Sequence, residues 1–167
     1  KVKRAKHELI TTILTLPPGT KFNMVFFCGS ITAWPESGGL IEATPENKNR
    51  AIARILAQKT SLNTPLMNGL DKCFAAEGVD TIFLLSDGRP VKSRLMKSED
   101  ILAEVRKMCT GARKITIHSV DFSPLVGLKD SGGKHGANQL LADIAKTTGG
   151  TYQVFSNWNM KVKVPAR

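Results

Sequence analysis

Apolar residues recur along this chain at two spacings, one helical and one of strand type, and the two alternate almost throughout. Val2, Leu9, Ile10, Ile13 and Leu14 share one helical face before Pro17-Pro18 ends the pattern. Phe22–Phe27 then reads as a strand closing at Cys28-Gly29-Ser30, with Ile31–Trp34 as its hairpin partner. Thr44-Pro45-Glu46 opens a second helix, Thr as N-cap and Pro at the first helical position, with Ile52, Ile55 and Leu56 inward. Thr64-Pro65 repeats that start for a helix carrying Leu66, Leu70, Cys73 and Phe74. Ile82-Phe83-Leu84-Leu85 is apolar without a break, which suits a strand covered on both faces. Ser98 caps the next helix, with Ile101, Leu102, Val105, Met108 and Cys109 inward. Its Glu99 and Asp100 suit the positive helix start, and Gly111 closes it. Ile115–Val120 is another strand. The polar loop Ser131–Gly136 leads to a helix with Leu140, Leu141 and Ile144, ended by Gly149-Gly150, and Thr151–Phe155 is a final strand. Met160–Val164 alternates as an edge strand, its lysines discouraging aggregation.

Alternation of this kind predicts an α/β fold: a doubly wound, mostly parallel, Rossmann-like sheet flanked by helices, with right-handed crossovers. Phe22–Phe27, Ile82–Leu85 and Ile115–Val120 are expected inside, and Ile31–Trp34 as one antiparallel edge strand. The 167 residues suffice for one core, and 41% hydrophobic with 23% charged residues describes an ordinary globular composition. No apolar run is long enough to span a bilayer.

The net charge of +10 predicts attraction to acidic partners, but the basic residues are scattered, from Lys1, Lys3 and Arg4 to Lys161 and Lys163. Without an aromatic RNA-binding signature or a dense basic run, nucleic acid is not favoured. Cys28, Cys73 and Cys109 match neither a zinc motif nor a disulfide framework; Cys73 and Cys109 fall on apolar stripes and read as buried thiols. His7, His118 and His135 are isolated.

The chemistry centres on Asp87. The apolar string Ile82–Leu85 runs directly into Ser86-Asp87-Gly88, which sets a carboxylate at a strand's carboxyl end, where open α/β sheets bind ligands. Asp-Gly is also common turn punctuation, and Thr-Pro a common helix start. Taken together, a Thr64 hydroxyl and an Asp87 carboxylate from separate loops are hard oxygen donors of the kind magnesium takes. An enzyme on such a sheet is the rival reading, yet no Gly-x-Gly-x-x-Gly follows a strand and no Gly-Lys-Ser/Thr phosphate loop occurs. The Gly132-Gly133-Lys134-His135-Gly136 loop could cradle an anion, though such loops are more often surface connections.

These pieces resemble, in order, the von Willebrand factor type A (VWA) domain family. Thr64-Pro65-Leu66-Met67-Asn68-Gly69-Leu70 is similar to its threonine loop, and Asp80–Gly88 to its strand ending in Ser/Thr-Asp-Gly. Ile117–Val120 resembles the following core strand, and Leu141–Tyr152 the closing helix and strand. The resemblance covers residues 1–156, with 157–167 a tail or edge strand. It implies a non-enzymatic, adhesion-type module with Thr64 and Asp87 as two contributors to a metal-ion-dependent adhesion site. A magnesium ion or another divalent cation there bridges to the Asp or Glu of a protein partner. The family's third contribution, Asp-x-Ser-x-Ser at the end of a central strand, is absent; Asp121-Phe122-Ser123 follows a different strand. The resemblance therefore implies a strand upstream of Lys1 in a longer polypeptide, an empty or weakly occupied site in this chain, and a strand-wide slot between Phe22–Phe27 and Ile82–Leu85. A VWA-like domain that binds no metal is the remaining alternative.

Overall fold

The structure, a computed structural model, describes residues 2–59, 63–87, 90–110, 113–122 and 139–154. Along the chain these form α1 (Val2–Thr15), β1 (Lys21–Phe22), β2 (Met24–Cys28), β3 (Ser30–Trp34), β4 (Ile41–Glu42) and α2 (Pro45–Ala57). They continue as α3 (Leu66–Phe74), β5 (Thr81–Ser86), α4 (Ser98–Cys109), β6 (Thr116–Asp121), α5 (Gln139–Thr148) and β7 (Tyr152–Val154). Gly88, Gly111, the Ser131–Gly136 loop, Phe155 and the tail from 157 lie outside the described residues.

The C-terminal half is parallel, in the order β5-β6-β7. Thr81 stands beside Thr116 at one end of the ladder and Ser86 beside Asp121 at the other. Period two then sends Ile82, Leu84 and Ser86, with Ile117, Ser119 and Asp121, to one buried face. Leu66, Leu70 and Phe74 of α3, Ile101 and Val105 of α4, and Leu141 and Ile144 of α5 complete that core. Each such side chain contributes about 2 kcal/mol by leaving water. Tight approach is built in: α5 ends on β6 at Gly150, where a Cβ would strike the Ile117 carbonyl.

The N-terminal half is a hairpin of β2 and β3, antiparallel from Met24 beside Trp34 to Cys28 beside Ser30. Gly29 makes the turn at φ +80°, a conformation glycine adopts without strain. A second core joins Met24 and Trp34 to Ile13 of α1 and to Ala51 and Ile55 of α2. Thr44 caps α2 as expected, its hydroxyl accepting the Asn47 N–H at 3.2 Å.

Several expectations need correction, beginning with local ones. The strand Phe22–Phe27 is broken at Asn23, whose amide donates to the Gly38 carbonyl at 2.7 Å; Phe22 pairs with Ile41 instead. Leu14 and Leu56 face outward, 54% and 62% exposed, because Ile13 and Ile55 beside them take the inward direction and the next residue lies about 100° round the helix. Ser98 is the first helical residue of α4, and Lys97 holds the cap position.

The expected slot is present. β2 has β3 as its strand partner and β5 has β6, and the two are not hydrogen-bonded to each other. A cavity of about 1900 Å³ lies there, lined by Val25 and Phe27 from one side and Phe83 and Leu85 from the other. Phe22–Phe27 is accordingly not an inner strand among the described elements, and its residues beyond Met24 are only half-buried. α3 bridges the two halves: Gly69 sits so near β2 that a Cβ would approach the Phe27 ring to 2.8 Å.

Candidate functional site

Parallel pairing in register puts the carboxyl ends of β5 and β6 on one edge, and Asp87, exposed, leaves β5 there. The turn before α3 reaches the same edge. Asn63 accepts the N–H of Gly29, at the end of β2, at 3.4 Å, and Thr64 accepts the N–H of Val91, four residues past Asp87, at 2.9 Å. Thr64 and Asp87 both line the cavity.

Thr64 is not the helix cap that its sequence context predicts. Pro65 occupies the cap position and makes no side-chain cap bond, while the N–H of Met67 donates to Ser93 Oγ at 2.9 Å. The proline sits one place too early for Thr64 to cap, and a hydroxyl from another loop serves the helix start instead. A Thr hydroxyl and an Asp carboxylate fit the donor chemistry of magnesium, and would supply two of the six oxygens it takes. Among the described residues no three His, Cys, Asp or Glu side chains converge as a metal cluster.

Behind the edge lies a buried polar group that sequence reasoning passed over. Asp121 is fully buried, and Tyr152 donates its hydroxyl to Asp121 Oδ2 at 2.9 Å. Ser119, on the same face, has a buried Oγ with no hydrogen-bond partner among the described residues. The period-two series Ile117, Ser119, Asp121 was the available signal, since it places all three on the core side of one strand.

His118 is held within the sheet by its neighbours. It stacks on Phe83 with ring centroids 5.1 Å apart, and its Nδ1 accepts the Thr151 N–H at 3.1 Å. Burial holds its pKa below the usual histidine value. The unfolded chain then binds more protons than the folded one as pH falls through about 6.5, so stability declines on acidification. Denaturant titrations between about pH 8 and pH 5.5 should show this slope in wild type and a shallower one in His118→Asn. Equal slopes would mean that His118 ionises alike in both states. Cys109 is buried as predicted and Cys73 is half-buried; burial pushes Cys73 up to about 12 and Cys109 to about 11, which keeps both protonated and unreactive at neutral pH.

No helix of the described residues is long and apolar enough to cross a membrane. No family model matches the chain. It is 29% identical over 146 residues to the human von Willebrand factor A domain-containing protein 3B, covering 87% of this chain and 10% of that protein. It is also 29% identical over 123 residues to inter-alpha-trypsin inhibitor heavy chain H1 of Sus scrofa, covering 66% of this chain and 13% of the relative. The chain thus spans only about a tenth of the length of these relatives. Among solved structures, a von Willebrand factor type A protein from Catenulispora acidiphila aligns with a TM-score of 0.69 at 20% identity, over 94% of this chain and 34% of that one. An aerotolerance-related membrane protein from Bacteroides fragilis aligns with a TM-score of 0.62 at 16% identity, over 93% of this chain and 81% of that one. Sequence relatives and solved structures agree with the motifs, and together they support a von Willebrand factor type A domain for this chain.

Proposed function

We propose that the chain is a protein-binding module whose ligand face is the sheet edge carrying Thr64 and Asp87, and that a divalent cation held there bridges to an Asp or Glu of the partner. Kinship with VWA domain-containing proteins supports the coarser part, an interaction or adhesion-type role. The finer part rests on one observation: the Thr64 turn is tied to the segment that follows Asp87, while the capping task expected of Thr64 falls to Ser93. Thr64 and Asp87 would hold the cation. A hard ion with incomplete protein ligation attracts an external carboxylate, and the net charge of +10 favours an acidic partner's approach.

Calorimetric titration of magnesium and an acidic peptide tests this, in protein extended through the upstream segment that the resemblance implies. Asp87→Ala should weaken magnesium-dependent binding by more than about 100-fold, the upper cost of losing a mere outer-shell partner. Its melting temperature should stay near that of wild type, because an exposed carboxylate adds little to the core. Equal affinity with and without magnesium would favour a VWA-like domain that binds no metal.

A further inference from the structure

Residues 91–94, beyond Asp87 in the chain, are fastened to the start of α3 at successive points. The Val91 N–H donates to the Thr64 carbonyl at 2.9 Å, and Ser93 Oγ accepts the Met67 N–H at 2.9 Å. The Arg94 N–H donates to Asn68 Oδ1 at 2.7 Å. The Arg94 guanidinium grips Asp71 with both arms, Nε to Oδ2 and Nη2 to Oδ1, each at 2.9 Å, and Glu104 lies 3.5 Å away. Between the first two fasteners stands Lys92, in the left-handed region at φ +54°. A side chain other than glycine is strained there, and such strain persists only where flanking contacts impose it.

These contacts add little to stability. Arg94 and Asp71 are exposed, and exposed ion pairs contribute little because water and salt screen them. What a two-armed Arg–carboxylate bond supplies is direction. We propose that Ser93 and Arg94 are positioning residues: they clip the segment leaving Asp87 onto the helix that begins beside Thr64, and so fix the separation of the two cation donors. This inference rests on the reading of Thr64 and Asp87 as one site. It adds that the geometry of the site is set from outside it, by α3.

In the same extended protein, the test compares wild type with Ser93→Ala, Ser93→Thr, Arg94→Gln and the exchanged pair Arg94→Asp with Asp71→Arg. Amide hydrogen exchange is followed at Val91, Met67 and Ile117, and magnesium-dependent binding of an Asp-containing peptide is measured by calorimetry. Ser93→Ala and Arg94→Gln should speed exchange at Val91 by about tenfold while Ile117, in the core strand, is unchanged. Their peptide affinity in magnesium should fall by about tenfold, with melting temperatures within a few degrees of wild type. Ser93→Thr and the exchanged pair should recover both readouts, which a merely structural role would not require. Unchanged exchange at Val91, or faster exchange with wild-type affinity, overturns the positioning role alone. Wild-type protein that binds no peptide through magnesium overturns the site reading as well.

Discussion

Gly150→Ala is expected to leave little folded protein. A Cβ at this position would strike the Ile117 carbonyl oxygen and stand 2.6 Å from its carbon and 3.2 Å from His118 N. These are backbone atoms of the central strand of the parallel sheet and cannot swing aside as a side-chain tip could. The neighbourhood is also tethered: the Ile117 N–H donates to the buried Thr148 Oγ1 at 3.0 Å, and the Gly150 N–H closes α5 on Ala145 at 2.8 Å. Overpacking that side chains can absorb costs about 1–3 kcal/mol. Here α5 or β6 must move, so about 4 kcal/mol or more is expected, a large part of a typical stability of about 5–15 kcal/mol. Gly149→Ala is the control. Its added Cβ meets nothing, and φ of +75° sets a milder cost of about 1–2 kcal/mol. Denaturant melts followed by circular dichroism separate the two, and a Gly150→Ala protein as stable as wild type would show that α5 does not seat on β6 as described.

The second large effect is a gain. A strand-length, mainly apolar peptide without proline should raise the melting temperature of this chain. The slot between β2 and β5 exposes the unpaired side of two strands, and the resemblance to VWA domains implies a central strand between them. At 100 times its dissociation constant such a ligand contributes about 2.7 kcal/mol, or roughly 5–10 °C for a chain of this size. The same peptide with a central proline should have no effect, since proline removes a ladder donor and cannot enter an inner strand. Both belong in chelator, so that backbone pairing is read apart from any metal. A shift from neither peptide, or from both alike, would mean that the slot does not take a strand.

Much of this fold is written in local spacing. The i, i+4 pair Ala51 and Ile55 and the alternation through Ile82, Leu84 and Ser86 determine faces by geometry alone. The errors arise where neighbours compete for one direction. Leu14 and Leu56 are as apolar as Ile13 and Ile55, and only the position of the hairpin core decides which is covered. Asn23 looks like part of a strand until its side chain finds Gly38, fifteen residues on. The same limit governs the site. The placement of Asp87 at the end of β5 was legible because a long apolar run points at it, but the partners of α3's first turn, Ser93 and Arg94, come from a loop with no periodicity. Asp121 was read only as a broken motif; period two places it on the core side, but its hydroxyl partner Tyr152, a strand away, has no local signal.

The bridge formed by α3 has a consequence for how the molecule yields. Each half has its own core, one around Phe74 and Ile117, the other around Trp34 and Ile55, and α3 packs its apolar stripe into the first while Gly69 abuts Phe27 of β2, which packs against that same core. With the slot open, no ladder carries tension from one half-sheet to the other. The halves are then coupled through the side-chain packing of α3 and Phe27, and a pull or a local melt in the hairpin half reaches β6 by way of that contact. A strand in the slot would splice the ladders into one sheet, so that strain entering at β3 is felt at β7.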